Sequence, residues 1–230
     1  MPDPLASASP KARFVRGVRL GMPVFLGYAP VGAAFGLAAT AKGFSVLQAV
    51  TCSATAIAGA GQFIGLAALA SGSLVAALIA TGVVNLRYLL FSATMAPHLA
   101  GVPRWQQGLL AFTLTDETFA INIADAREGR ADAFSMLGVG AIAWLGWVGG
   151  TMAGGLAGGA IGNPENWGVA FAMPAMFTAL LVGQLTGRRE YLAAGLSAAT
   201  ALALTQVLPG QWPVVVAAMT AATVMAATER

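Results

Sequence analysis

The stretch TLTDETFAIN, residues 113–122, places two adjacent carboxylates, Asp116 and Glu117, inside sequence otherwise apolar enough to cross a membrane. A third charge, Arg87, lies in VVNLRYLLF, two residues after Asn85. A charge at the centre of a bilayer costs about 2.5–3.5 kcal/mol on insertion scales, so each of the three is by default a functional candidate. Together they form a set suited to a zwitterion. A carboxylate can meet an ammonium group, Arg87, Asn85 or free backbone N–H groups can meet a carboxylate, and a carboxyl in apolar surroundings can take up and release a proton. Gln62, beside Gly61 in GAGQF, adds a buried amide that suits either a ligand contact or an interhelical hydrogen bond.

Simple geometry relates these residues. If 72–96 and 105–124 are consecutive helices, they form an antiparallel pair in which residues at equal depth have numbers summing to about 201. Asp116 is then level with Asn85, Arg87 with Leu114, and Asp116 sits roughly 18 Å below the end of its helix, near the midplane. Neighbouring helical residues point about 100° apart, so Asp116 and Glu117 face different partners. One is expected to hold the architecture, for instance by pairing with Arg87, and the other to work. Thr113 and Glu117 share one face of a continuous helix, and Thr115, Thr118 and Asn122 share another, so this segment is central or lines an aqueous path. The candidate set is Asp116, Glu117, Arg87, Asn85, Gln62, Thr113 and Gly61, with no metal or cofactor expected. His98, the single histidine, reads as a solvated loop residue at the outer end of its helix. Trp105, Trp144, Trp147, Trp167 and Trp212 read mostly as interfacial anchors.

The elements that must position this chemistry follow from composition. Of 230 residues, 57% are hydrophobic and 9% charged, and 29 are glycine; mean hydropathy is +0.75. Soluble domains carry about 25% charged residues, so the fold class is an all-α integral membrane protein, a polytopic bundle of about eight transmembrane helices. The expected spans are 18–40, 44–70, 72–96, 105–124, 133–157, 166–186, 191–208 and 212–228. A basic segment, 1–17, precedes a single transport domain, 18–230. The apolar run from 18 to 40 exceeds the ~7–15 residues of a signal-peptide core, so it reads as a span. With the N-terminus inside, nine cations (Lys11, Arg13, Arg16, Arg19, Arg127, Arg130, Arg188, Arg189, Arg230) lie inside, against Lys42 and Arg104 outside. That bias sets the orientation with both termini cytoplasmic. A re-entrant loop over 44–70 would move Arg127, Arg130, Arg188 and Arg189 outside; a full span broken at GAGQF fits the charge better. Glycines four apart (Gly32 and Gly36, Gly61 and Gly65, Gly154 and Gly158) let helix backbones touch, and Pro23, Pro30 and Pro174 kink helices. Cys52, the single cysteine, cannot form an intrachain disulfide.

Other functions fit less well. The clustered cations follow topology rather than a nucleic-acid footprint. An intramembrane aspartyl protease needs two facing aspartates, and Asp116 is the one aspartate expected at depth. No Gly-x-Ser-x-Gly nucleophile or His/Cys metal cluster is present, and the lysines, Lys11 and Lys42, cannot form a buried Schiff base. The chain therefore reads as a non-enzyme. A permease or channel for another small solute stays as an alternative.

PVGAAFGLAATAKGFS, AGAGQFIGLAAL, VNLRYLLFSATMAPHL and FTLTDETFAI, in this order, resemble the AzlC-type large subunit of branched-chain amino acid exporters. The specific matches lie in residues 27–122, with Tyr88 where many relatives carry histidine, a departure that argues against a protonatable role there. The resemblance implies an inner-membrane secondary transporter that exports valine, leucine, isoleucine and methionine, driven by the proton gradient. It also implies a separately encoded, small hydrophobic AzlD-type partner subunit, with self-association left open.

Overall fold

The computed structural model describes residues 8–70, 72, 74–130, 132–161, 171, 174–175, 178, 181–182, 185, 187–208 and 212–228. Among these the regular structure is helical, without strands. Two compact units divide the chain, residues 1–173 and 174–230.

The first unit is built on two long helices, α1 (Pro10–Ala41) and α8 (Ala133–Ile161). The Ser9 hydroxyl accepts the Ala12 N–H at the start of α1, and Pro10 occupies its first turn, where a missing N–H costs nothing. Pro23 and Pro30 lie within α1 without ending it. The two helices run side by side in the same direction. Gly17 meets Ser135, Gly21 meets Val139, Gly32 meets Trp147, Gly36 meets Thr151, and Ala33 meets Gly154. A Cβ on Gly17, Gly36 or Gly154 would stand 1.8, 2.1 or 1.9 Å from a carbonyl oxygen of the facing helix. The glycine spacing thus brings two backbones into contact along most of their length, as small-residue seams do in membranes.

Because α1 and α8 are parallel, the chain between them must return from the far end of α1 to the near end. One helical run makes that return: α4 (Leu74–Asn85), a bend at Leu86, α5 (Arg87–Met95) and a 3-10 turn (Ala96–Leu99). The segments on either side of it fold back. α2 (Val46–Thr55) starts with a capping box in which Ser45 and Gln48 exchange hydrogen bonds. It descends along α8, with Val46 beside Gly155, Ser53 Oγ 2.8 Å from Thr151 Oγ1, and the Ala54 carbonyl accepting from Trp144 Nε1 at 3.1 Å. After an extended link at residues 56–58, α3 (Gly59–Ala70) climbs back. Gly59 lies against the Trp147 ring, Phe63 meets Phe35 edge-on at 5.5 Å, and Leu66 joins Ala39 and Ala49 in the core.

The opposite half repeats this pattern inverted. α6 (Arg104–Phe112) rises beside α8, with Leu110 packed in one cluster with Met136 and Thr113 against Gly140. α7 (Asp116–Arg127) turns back at residues 113–115 and descends until Asp125 reaches Arg16 near the start of α1. α5 runs alongside α7 in the same direction: Arg87 pairs with Asp116, Phe91 stacks on Phe119 at 4.5 Å, and Met95 clusters with Ile123.

These contacts correct the reading of 44–70 and 105–124 as crossings. Each is two half-length helices of 9–12 residues meeting at a turn, and at ~1.5 Å per residue none spans the ~30 Å hydrocarbon core. Three helices among the described residues are long and apolar enough to cross: 10–41, 77–99 and 133–158. One re-entry would reverse everything after it, which is why charge counting argues against it. Two opposed re-entries restore the original direction. His98 and Arg104, expected at the far end, are not there. They flank the α5–α6 turn at the end where α1 begins, and Gln107 braces that turn by donating to the Val102 carbonyl at 2.8 Å.

The same end is tied by ion pairs. Arg13 meets Asp132 at 2.5 Å, and Arg16 grips Asp125 with both nitrogens at 2.6 and 2.8 Å while also donating to Ser135 at 2.9 Å. Arg130 pairs with Asp125 at 3.1 Å and with Glu128. The Arg16 hydrogen bonds hold the Asp125 carboxyl below its usual pKa range. Cations that read only as topology signals therefore also fasten α1 to the α7–α8 turn.

The second unit contains α9 (Arg188–Leu204) and α10 (Trp212–Ala227), an antiparallel pair whose open end is joined by Arg189 Nη2 donating to the Thr228 carbonyl at 3.4 Å. At 17 and 16 residues both fall short of the usual crossing length. The expected span 166–186 lies largely outside the described residues, as does Trp167.

Candidate functional site

The turns of the two folded-back pairs, the bend at Leu86, Tyr28 of α1 and Trp147 of α8 come together midway along the first unit. The two carboxylates lie in the first turn of α7. Thr115 caps that turn: its hydroxyl accepts the Thr118 N–H at 3.3 Å, while its own N–H donates to the Thr118 hydroxyl at 2.8 Å. Helix N-termini carry a partial positive charge worth roughly 0.3–1 kcal/mol to a nearby anion, up to ~2 kcal/mol when partly buried. Two acids at this depth are therefore partly compensated by the backbone itself.

Asp116 and Glu117 go to different partners. Asp116 Oδ2 meets Arg87 Nη1 at 2.7 Å. Arg87 opens α5, and its guanidinium also lies 5.2 Å from the centre of the Tyr88 ring. Its Nε is buried without a hydrogen-bond partner. Glu117 is hydrogen-bonded to the Tyr28 hydroxyl, and no ion pair reaches it among the described residues. Tyr28 has one hydroxyl hydrogen, and an ionised carboxylate can only accept. That hydrogen has two acceptors in reach, the Glu117 carboxyl and the Thr115 hydroxyl at 2.8 Å. Thr118 donates its own hydroxyl hydrogen to the Thr113 carbonyl at 2.9 Å. The result is a cluster of hydroxyls, those of Tyr28, Thr115 and Thr118, beside Glu117.

Gln62, in the first turn of α3, is 7% exposed and fully engaged. Its carbonyl accepts from Trp147 Nε1 at 2.7 Å, and its NH2 donates to Ser53 Oγ at 3.2 Å and Cys52 Sγ at 3.3 Å. Of the two roles open to it, the geometry supplies the interhelical brace. Asn85 stands against Gly61, where a Cβ would lie 2.9 Å from its amide nitrogen. A side chain at this position would crowd the ends of the Asn85 and Thr81 side chains. The Asn85 Oδ1 is buried and accepts no hydrogen bond. The Thr113 side chain does not join the cluster: its hydroxyl caps α6 through the Leu109 carbonyl at 3.0 Å and packs on Gly140. The helix ends between Thr113 and Glu117, so the shared face expected for them does not exist.

Tyr28 escaped the sequence reading, and Thr115 and Trp147 have roles it did not assign. Tyr28 orders Glu117, Thr115 caps α7, and Trp147 connects the halves, its ring edge-on to Tyr28 at 5.4 Å and its N–H on Gln62. At 2% exposure Trp147 is a core residue rather than the expected interfacial anchor, whereas Trp105, 62% exposed, suits that role. Signals existed. Trp147 is fourteen residues inside an apolar helix of 29, too deep for an interfacial belt. Thr-Asp-Glu-Thr, a capping residue followed by acids, is also a helix-start pattern.

Cavities lie on opposite sides of this cluster. One of about 210 Å³ is bounded by α5, α6, α7 and α8 and includes Asn122 and Gln107. The other, about 260 Å³, is bounded by α1, α2, α3 and α4 and reaches Gln62 and Asn85. No group of three or more His, Cys, Asp or Glu side chains that could hold a metal occurs among the described residues. The arrangement offers a neutralised ion pair, a carboxylate without a cation, an unengaged amide oxygen, and two helix N-termini, those of α3 and α7, in one region.

Comparison with known proteins gives a consistent picture. Residues 23–161 match the family described as AzlC protein. A membrane protein of Archaeoglobus fulgidus is 34% identical over 79% of this chain and 80% of its own. Inner membrane protein YgaZ of Escherichia coli is 33% identical over 83% and 81%, respectively. The branched-chain amino acid transport protein AzlC of Bacillus subtilis is 28% identical over 78% and 72%. No solved structure matches the chain.

Proposed function

The chain belongs to the AzlC family of membrane proteins, and from that premise we propose that it exports branched-chain amino acids across the bacterial inner membrane. It acts as the large subunit of a two-subunit, proton-driven carrier whose partner is a small hydrophobic protein of the AzlD type. The observation that carries this reading is the division of labour between the two acids. Asp116 is neutralised by Arg87, while Glu117 has Tyr28 and, among the described residues, no cation. A carboxylate left without a counter-charge between two cavities is suited to carry a proton in one half of a cycle and to meet an ammonium group in the other. Broken helices whose N-termini face an anionic substrate group recur in secondary carriers. The first N–H groups of α3, at Gly59, Ala60 and Gly61, are the donors available to the substrate carboxylate, and Asn85 Oδ1 is an acceptor for its ammonium group.

In this reading α1, α4–α5 and α8 cross the membrane, and α2–α3 and α6–α7 enter it from opposite faces. The remaining apolar stretches complete one transport domain. Arg13, Arg16, Arg104, Arg127 and Arg130 gather at the end where α1 begins, against Lys42 at the other, which supports cytoplasmic termini. The name of the Bacillus subtilis relative supports the substrate class.

The test is leucine and valine flux through proteoliposomes holding the chain with its small partner. Saturable flux that follows an imposed pH gradient is expected. Non-saturable flux indifferent to that gradient would make the protein a passive permease.

A further inference from the structure

The cavity of about 260 Å³ among α1, α2, α3 and α4 is mostly apolar, with its buried polar side chains at the inner end. Phe35, Ala39, Ala49, Leu66 and Leu69 form apolar walls toward the end of the unit where α1 finishes, with the exposed Gln48 at the rim. Polar atoms gather at its inner end, where Thr81 bonds the Gly61 carbonyl and Asn85 presents a buried oxygen without a partner. The first turn of α3 closes that same end. A cavity shaped in this way takes an amphiphile oriented with its polar end inward and its apolar end along the α1–α3 wall. Sites for drug-sized ligands occupy roughly 300–1,000 Å³, so this one fits a smaller molecule. A long cationic or anionic side chain would find no opposite charge among the walls.

We propose that this cavity is the subsite for the substrate's aliphatic side chain, and that Ala49 and Leu66 set the length and branching it accepts. The proposal rests on the export reading above and deepens it. α3 provides both the backbone N–H groups for the substrate's carboxylate and, nearly two turns on, Leu66 against its side chain, so a single half-length helix reads both ends of the amino acid. Gly61 and Gly65 keep that helix close to Thr81 and Asn85. The second cavity, beyond the central cluster, takes no part in side-chain selection.

The test is substrate selectivity, because a folding defect lowers all fluxes together and leaves their ratio alone. One methylene in an apolar pocket discriminates by roughly 10–200-fold. Leu66→Ala lengthens the cavity, and its phenylalanine-to-valine flux ratio is expected to rise about tenfold. Ala49→Leu shortens it, and its leucine-to-alanine ratio is expected to fall by a similar factor. Native Cys52 lines the same wall and reports occupancy without any substitution. Saturating leucine is expected to slow its alkylation by N-ethylmaleimide several-fold, and lysine is expected to leave it unchanged. Alkylation indifferent to leucine in protein that transports leucine overturns the subsite, as does an unchanged ratio in folded Leu66→Ala. Failure of the wild-type protein to move any branched-chain amino acid overturns the export reading instead.

Discussion

Removing the carboxylate of Asp116 should harm the fold more than removing the guanidinium of Arg87, and the excess should vanish when both are removed. The pair is made at 2.7 Å, with both side chains about three-quarters covered even before lipid is considered. Asp116→Asn leaves a guanidinium that cannot lose its proton. An unpaired charge at this depth costs about 3 kcal/mol, or roughly a hundredfold in the folded-to-unfolded ratio, at about 1.4 kcal/mol per factor of ten. Arg87→Gln leaves a carboxyl that can neutralise itself by taking up a proton, so its defect is smaller and shrinks as pH falls. Arg87→Gln combined with Asp116→Asn leaves two amides able to bond each other and should recover most of the loss, the signature of a coupled pair. Thermal inactivation in detergent, followed as the monodisperse fraction after heating between pH 5 and pH 8, reads all three variants. Asp116→Asn as stable as the wild-type protein, or a double variant worse than either single one, would show that the two charges are not coupled.

Other consequences follow from the same geometry. Gly36→Ala and Gly154→Ala put a Cβ about 2 Å from a backbone oxygen and should each cost about 1–3 kcal/mol by forcing α1 and α8 apart; Gly149→Ala, with open space around it, should not, and thermal unfolding compares them. Tyr28→Phe keeps the ring against Trp147 but removes the donor to Glu117, a hydrogen bond to a charged group worth about 1.5–3 kcal/mol. It should move the pH–rate profile of leucine efflux, and an unchanged profile would contradict the role given to Tyr28. Asp125 has a folded pKa held below its unfolded value near 3.9, so its contribution is complete above that value and is lost as pH falls through the folded pKa. The stability difference between the wild-type protein and Asp125→Asn should be constant from pH 5 to pH 8 and shrink below pH 4.

How much of this was legible in the sequence depended on whether a feature left a trace in hydropathy. α1 and α8 were readable because long apolar runs with glycines four apart have few other uses. The turns of the folded-back pairs were not. Ala56-Ile57-Ala58 is as apolar as the helices it separates, so no polar gap marks the place where the chain reverses. At 113–115 the capping pattern was present, yet a continuous helix placed Asp116 at the same depth and gave no reason to look further. That coincidence is why hairpin geometry brought Arg87 to Asp116 even though the assumed helix does not exist. Asn85 found Gly61 rather than Asp116, because side-chain direction at a helix break does not follow from a helical wheel. Arg13 and Arg16 showed their sign but not their partners, which lie 119 and 109 residues away. Trp147 and Tyr28 depend on packing between helices distant in sequence, and a single sequence does not state it.

In the proposed cycle Glu117 carries the proton that drives branched-chain amino acid export. The most direct measurement of this role is leucine movement in proteoliposomes by the wild-type protein and Glu117→Gln, each reconstituted with the small partner, with and without an imposed pH gradient. The wild-type protein should accumulate leucine against its concentration gradient when the pH gradient is imposed. Glu117→Gln should exchange labelled for unlabelled leucine yet fail to accumulate it. Gradient-driven accumulation by Glu117→Gln equal to that of the wild-type protein would show that Glu117 does not carry the coupling proton.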